Sequence, residues 1–182
     1  MIIYIRHSHD DEDAATHDHD AHITEKGHPR IKALVKHLIK EYGYPDRVYC
    51  SPFARARETL KLVRGHLKSY PKSKNIKFQI DVRLSRYFTS DQQKNPSIRD
   101  DTKRYDPPIY EDIDDFVDRL KEMVLHLVNK GYGDKQPVVW CLSHGLSIKK
   151  TLLGLKLKSP DSVPFLAYYP IRHKDGKYKL AD

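Results

Sequence analysis

The sequence predicts an α/β domain of three layers, α/β/α, around a mostly parallel central sheet. Three observations predict it. Short runs such as Met1-Ile2-Ile3-Tyr4-Ile5, Val48-Tyr49-Cys50 and Val138-Val139-Trp140-Cys141-Leu142 are apolar at every position and bounded by polar residues. That is the pattern of strands buried on both faces. Longer segments with helical spacing of apolar residues lie between them, so strands and helices alternate. The 182 residues suit a single domain, 1–182, with enough chain to bury a core, and no repeat or composition break divides them.

Taken in order, the first strand ends in Arg6-His7-Ser8. Residues 9–22 then form a loop dense in His and Asp. Its spacing matches no closed zinc site and no cysteine joins it, so no metal is expected there. Because this loop follows the first strand directly, one of its acids, Asp10, Asp11, Glu12 or Asp13, is within reach of that strand's end. The first helix is predicted over 24–42, with Ile31, Leu34, Val35, Leu38, Ile39 and Tyr42 on its core face. Thr24 is its N-cap and Gly43 its stop. A strand follows at 47–50. The next helix begins near Pro52, a good first-turn residue, with Arg55 in that turn and Leu60, Val63 and Leu67 facing the core. Arg57, Lys61, Arg64 and Lys68 form its wet face.

Residues 77–80 alternate and read as an edge or half-buried strand. Residues 88–111 are polar and broken by Pro96, Pro107 and Pro108. A connection this long without structure of its own is read as a lid or insertion over the site. A helix over 112–130 carries a broad apolar face, with Asp114 and Asp115 suited to its N-terminus; Gly131 and Gly133 end it. A strand at 138–142 and a helix at 143–155 follow. The tail, 163–180, reads as two strands joined across Asp175-Gly176, a hairpin signal.

The balance of 33 basic against 25 acidic residues, net +8, favours anionic partners: a phosphorylated small molecule or a phosphoprotein. No DNA- or RNA-binding motif accompanies the charge, so nucleic acid is not expected. Cys50 and Cys141 fall inside predicted strands and read as free buried thiols. No signal peptide and no bilayer-length apolar run is present, which gives the expectation of a soluble, cytoplasmic protein with no membrane partner. Nothing in the sequence sets the oligomeric state.

In open α/β sheets the ligand crevice lies at the carboxyl ends of the strands. Three predicted strands end in Arg6-His7, Ser51-Pro52-Phe53-Ala54-Arg55 and Ser143-His144. If these strands are parallel neighbours, Arg6, His7, Arg55 and His144 converge on one point. Two helix N-termini, near Ser51 and Ser143, would aim backbone N–H groups at the same place. Such a place suits a dianionic phosphoryl group beside a nucleophile. A lone strand-end histidine or first-turn arginine is ordinarily structural; their joint placement is what argues for a site.

Arg6-His7-Ser8, Ile23-Thr24-Glu25-Lys26-Gly27, Ser51-Pro52-Phe53-Ala54-Arg55-Ala56-Arg57-Glu58-Thr59 and Ser143-His144-Gly145 together resemble the histidine phosphatase (phosphoglycerate mutase-like) superfamily. The segment from Ser51 to Thr59 is most similar to the short phosphohistidine phosphatase branch. The resemblance implies a phosphoglycerate mutase-like fold and a phosphatase that needs neither metal nor cofactor. It places Arg6, His7, Arg55 and His144 in catalysis and Ser8, Ser51, Ser143 and Gly145 in substrate binding. Neutral imidazole is a competent nucleophile for a covalent phosphoryl intermediate, a role that falls to His7. Arginine forks match phosphoryl oxygens.

The sequence departs from the family at one point. Members that cleave alkyl phosphate esters carry a glutamate after a leucine in the segment following the third strand; Val82-Arg83-Leu84-Ser85-Arg86 offers Arg86 there. General-acid help to an alkoxide leaving group must then come from a loop acid (Asp10, Asp11, Glu12 or Asp13), or the substrate needs less of it, as a phosphoramidate would. The short phosphohistidine phosphatases also do without that glutamate. Arg86 itself is read as solvent-exposed, the alternative being contact with an anionic substrate. The alternatives are a catalytically inactive phosphate- or phosphoprotein-binding module of the same fold and, more weakly, a phosphoglycerate mutase.

Overall fold

The computed structural model describes residues 1–10, 21–87 and 112–181. The lid expected at 88–111 and the acids Asp11, Glu12 and Asp13 lie outside the described residues. Six strands, β1 (Ile2–Arg6), β2 (Arg47–Cys50), β3 (Lys77–Ile80), β4 (Val139–Ser143), β5 (Tyr168–Lys174) and β6 (Lys177–Leu180), form one sheet. Four α-helices are described: α1 (His28–Tyr42), α2 (Ala54–Leu67), α3 (Ile113–Asn129) and α4 (Gly145–Gly154). The strand order is β3-β2-β4-β1-β5-β6. The first four in that order run parallel; β5 lies antiparallel to β1, and β6 to β5. β4 therefore sits between β2 and β1, and the three strand ends with candidate residues are neighbours.

Side chains alternate across the sheet, and both faces are covered. Ile3, Ile5, Val48, Cys50, Trp140 and Leu142 meet Ile31, Val35 and Leu38 of α1 and Ala56, Val63 and Leu67 of α2. Ile2, Tyr4, Tyr49, Val139 and Cys141 meet Met123, Val124 and Leu127 of α3 and Ile148 and Leu152 of α4. This is the reason the strands read as unbroken apolar runs. Cys50 and Cys141 are free and buried. Among the described residues no helix is long and apolar enough to cross a membrane.

The local differences from expectation have physical causes. The helix expected from residue 24 is a 3-10 turn, Glu25–Gly27, followed by α1. Pro29, lacking an N–H, occupies the first turn of α1 at no cost in hydrogen bonds, and Gly43 at φ 87° stops the helix. Pro52 precedes α2, whose N-cap is Phe53; a proline there keeps Ser51 extended. Ser143 remains in strand because it pairs with Arg6, so His144, not Ser143, caps α4. Asp112 caps α3, accepting from the N–H groups of Asp114 and Asp115. The tail forms its hairpin across Asp175 and Gly176, but residues 163–167 precede the strands and pass over the end of β1: Leu166 N–H donates to His7 O at 3.3 Å and Arg6 N–H to Ala167 O at 2.9 Å.

Candidate active site

The backbone first brings the candidate residues together. His7 N–H donates to Ser143 O at 3.0 Å and Ser51 N–H to Leu142 O at 2.9 Å, locking the ends of β1 and β2 to β4. Thr59 on α2 accepts from Ser8 N–H at 2.9 Å and donates to Arg55 O at 2.8 Å. Glu58 accepts from Ile23 N–H at 2.9 Å, and Thr24 N–H donates to His9 O at 2.8 Å. The segments distant in sequence are thus stitched into one unit. Gly27 is part of it: a Cβ there would stand 1.8 Å from Ser8 Oγ.

His7 is 1 % exposed. Its Nδ1 lies 2.9 Å from Ser8 O. A carbonyl only accepts, so Nδ1 carries the proton and Nε2 keeps its lone pair. Arg55 Nε–H donates to that Nε2 at 3.3 Å. Burial, then the Arg55 guanidinium, with Arg6 and Arg86 adding to it, hold the His7 pKa well below the usual imidazole value; the Ser8 bond opposes this. The ring is therefore neutral and nucleophilic at physiological pH.

His144 packs beside it, ring centroids 5.2 Å apart. Its Nε2 lies 2.8 Å from Ser51 Oγ, and that hydroxyl accepts from Phe53 N–H at 3.4 Å. The hydroxyl can then donate to Nε2, leaving the imidazole proton on Nδ1, which is buried and has no hydrogen-bond partner among the described residues. Burial first, then His7, Arg55, Arg86 and Arg6, push the His144 pKa well below its usual value. Arg6 donates from Nη1 to Val163 O at 2.6 Å and stacks over Phe165 at 3.8 Å. A pocket of about 550 Å³ opens over this group and is lined by Arg6, His7, Arg55, Arg86, His144 and Gly145, with Lys149 and Val163 on its wall. α2 and α4 start beside it, and their first-turn N–H groups suit an anion.

The other candidates divide. Gly145 lines the pocket. Ser51 holds His144 rather than lining the pocket. Ser143 Oγ donates to Leu84 O at 2.7 Å and is fully buried; Ser8 faces Gly27. Both hydroxyls are buried and turned to the interior. Asp10, three residues after His7, is drawn inward by a bridge to Ile23. Its carboxylate lies 3.3 Å from Arg55 Nε and 3.7 Å from His7 Nδ1. That is near the Nδ1 of the ring, and Asp10 is not among the residues lining the pocket. Among the described residues, the carboxylate that does line it is the exposed Asp161. Arg86, expected in solvent, is half-buried and lines the pocket. No group of three His, Cys, Asp or Glu able to hold a metal ion occurs among the described residues.

The sequence did not single out Lys149 or Phe165, which stand at the pocket and beside His7. Lys149 stands four residues after Gly145 on α4, the spacing that shares a helix face, and that signal was available. Phe165 had none, since its place depends on how residues 163–167 cross the sheet end.

The two buried histidines predict an acid-sensitive fold. Above about pH 6.5 both folded and unfolded chains hold them neutral, and they contribute nothing to pH dependence. Below it the unfolded chain takes protons that the folded site refuses. Stability then falls by about 1.4 kcal/mol per pH unit for each histidine until its folded pKa is reached. Denaturant melts between pH 7 and 5 test this; a flat profile would refute the buried neutral pair.

Comparison with known proteins agrees with this architecture. The family model of the histidine phosphatase superfamily (branch 1) matches residues 2–165. No curated protein sequence matches. Among solved structures, the protein histidine phosphatase SixA complexed with tungstate is similar at TM-score 0.67 and 18% identity, over 99% of this chain and 93% of that one. A mycobacterial glucosyl-3-phosphoglycerate phosphatase superposes at TM-score 0.69 and 19% identity, over 99% and 96%. A phosphoglycerate mutase from Bacillus anthracis does so at TM-score 0.69 and 20% identity, over 99% and 90%. The fold is phosphoglycerate mutase-like.

Proposed function

We propose, from the premise that the chain belongs to the histidine phosphatase superfamily (branch 1) and is a phosphatase of that class, that it hydrolyses phosphate monoesters or phosphohistidine through a covalent intermediate on His7. The observation that carries this reading is the tautomer: Nδ1–H tied to Ser8 O, Nε2 with its lone pair beside Arg55 at the pocket. As Arg55 Nε–H turns from Nε2 to a phosphoryl oxygen, Nε2 attacks phosphorus, and the bond to the leaving group breaks with its electron pair going to that group. The ring gains positive character as the N–P bond forms, and Ser8 O and the Asp10 carboxylate stand on its Nδ1 side to stabilise it. Arg6 and Arg55 supply donor forks to the phosphoryl oxygens, and His144 Nδ1–H a further donor. Water then attacks the phosphohistidine, releases phosphate and returns Nε2 its lone pair. The arginines provide the charge neutralisation that a metal would otherwise supply, so none is required. A reducing, cytosolic setting belongs to the same reading, supported by the two free buried thiols.

The leaving group narrows the substrate. With Arg86 in the pocket and Asp10 behind the ring, a good leaving group is favoured: an imidazole expelled from a phosphoramidate, or an aryl oxide. The test is a rapid quench with labelled phosphoramidate in the presence of a chelator. The label is expected on the His7 peptide, stable to alkali and lost in acid, with turnover unchanged by the chelator. Full turnover with label on serine, or with strict metal dependence, would overturn it.

A second reading, an inactive phosphate-binding module, is favoured by the same absence of a pocket glutamate at position 86. Phosphate binding without turnover of any ester or phosphoramidate would select it.

A further inference from the structure

The hairpin of β5 and β6 closes one side of the sheet, and the phosphoryl chemistry uses none of its charged residues. Across it Arg172 pairs with Lys179, and Lys174 with Lys177. Residues directly opposite share a face, so all four cations stand on one face of the ribbon. Tyr178 and Leu180 turn to the other, where they pack against the cluster beneath α3. The four cations line a groove of about 500 Å³, with the carboxylate of Asp175 at the turn and, among the described residues, no helix residue on its wall. Lys174, Lys177 and Lys179 are exposed and Arg172 is half-buried. Among the described residues none of the four has a salt bridge, and Arg172 Nε is buried with no hydrogen-bond partner. The groove is remote from His7. β5 runs antiparallel to β1 with Ile171 opposite Ile2, so Arg172 lies level with residue 1, roughly 20 Å from His7 along the strands at about 3.3 Å per residue.

Like charges directly opposite one another oppose sheet formation, and this ribbon carries two such pairs. Lysines on an edge strand guard it against stray pairing, and Lys177 and Lys179 alone would serve that end. Arg172 and Lys174 need a different reason. Their strand, β5, is flanked by β6 on one side and by β1 and Gly133 on the other, where His173 N–H donates to Gly133 O at 2.7 Å, so it is not an open edge. β6 is the last strand of the sheet. Ala181 N–H donates to Pro170 O at 2.8 Å. By the two-residue alternation of an antiparallel ladder, Lys177 and Lys179 also turn their backbone groups to β5, and those of Tyr178 and Leu180 point out of the sheet. An extended chain laid beside β6 would find those groups in hydrogen-bond reach, and its alternate side chains repeat at the spacing of Lys177 and Lys179. A small phosphate-rich anion would use the charge but not the backbone groups. Three of the four cations are also lysines, which lack the planar fork that suits phosphate.

We propose that the β5–β6 hairpin is a docking site for an extended acidic segment of a partner protein. The segment adds as a strand to β6 and sets alternate carboxylates against Lys177 and Lys179, with Lys174 and Arg172 behind them adding to the positive field. The cations make the edge selective, since an acidic strand compensates them and a neutral or basic one does not. The site goes beyond the phosphatase reading and does not depend on it. Where that reading holds, a phosphoprotein tethered here meets His7 at raised effective concentration, which lowers KM and leaves kcat unchanged.

The experiment measures fluorescence anisotropy of dye-labelled, capped peptides on the full chain. Thr-Glu-Thr-Glu-Thr-Glu carries its acids on one face of an extended strand; Thr-Thr-Thr-Glu-Glu-Glu has the same composition and charge without the alternation. Wild type is expected to bind the first about tenfold more tightly at low salt. Lys177→Gln with Lys179→Gln, and separately Arg172→Gln with Lys174→Gln, should remove most of that preference; thermal melts establish folding. Backbone N-methylation is the second arm and leaves the protein unaltered. In antiparallel addition the glutamates stand opposite Lys177 and Lys179, so the peptide N–H groups facing β6 belong to the threonines. Methylating the three threonines should abolish binding, and methylating the three glutamates should leave it within about threefold. The reverse pattern would mean parallel addition and would equally support a strand. Equal binding of the two unmethylated peptides, or equal loss on both methylations, would refute strand addition. If inorganic tripolyphosphate or phosphatidylserine vesicles then bind more tightly, and lose that binding in the same lysine variants, the groove belongs to phosphate anions or a membrane surface instead. Binding of none of these refutes the site. No turnover is read, so failure here leaves the His7 chemistry standing, and failure of that chemistry leaves the docking site standing.

Discussion

His7→Ala is expected to lower kcat/KM toward an activated aryl phosphate by about 10⁴-fold or more. The size follows from losing the atom proposed to form the bond. His144 is close, with ring centroids 5.2 Å from His7, but its Nε2 is tied to the Ser51 hydroxyl at 2.8 Å, a tighter hold than the 3.3 Å contact of Arg55 Nε with His7 Nε2. The cations Arg6 and Arg55 remain, so inorganic phosphate should still bind the variant in calorimetry. The vacated ring position invites rescue: His7→Gly with added imidazole should recover part of the activity. A second consequence is independent of turnover. One of the two histidines that refuse protons is gone, so the acid-side stability slope should fall by about 1.4 kcal/mol per pH unit. Unchanged activity in His7→Ala would end the covalent mechanism whatever the fold.

How much of this was written in the chain can be judged residue by residue. Ile2 to Ile5, Val48 to Cys50 and Val139 to Leu142 are buried from both sides, and such strands have no polar face to break the apolar run. The fold class was therefore visible. The meeting of Arg6, His7, Arg55 and His144 followed from strand ends, given that β4 lies between β1 and β2. That order is a property of the whole sheet, and the motifs carried it where local pattern did not. The direction of the hydroxyls was hidden for a related reason. Ser143 and Ser8 sit in the right segments, but whether a hydroxyl faces a pocket or a carbonyl such as Leu84 O depends on a partner some sixty residues away in the first case, |i−j| = 59. Arg86 shows the same limit in reverse. In sequence it is a missing acid and a cation expected in solvent, with contact to an anionic substrate as the alternative; the fold brings it to the pocket wall.

Arg55→Ala should damage activity and stability together, and a second substitution should separate the two. Arg55 is 1 % exposed and uses one N–H toward both His7 Nε2 and Asp10 Oδ2, each at 3.3 Å. Losing a guanidinium that meets developing phosphoryl charge is expected to lower kcat by about 10²- to 10³-fold. The same change removes the cation beside the Asp10 carboxylate, whose side chain is fully buried. Breaking a buried pair from one side costs about 3–5 kcal/mol, because the remaining charge has lost its compensation. Arg55→Lys keeps the charge but not the fork, so it should restore stability more than rate. The decisive variant is Arg55→Ala with Asp10→Ala. Removing the carboxylate as well should return stability to within about 1–2 kcal/mol of wild type, the two residues being coupled, while activity stays low because nothing replaces the donor at the phosphoryl oxygens. Should the double variant regain activity along with stability, Arg55 would act only as the counter-ion of Asp10, and the anion-binding role would pass to Arg6 and the helix N-termini.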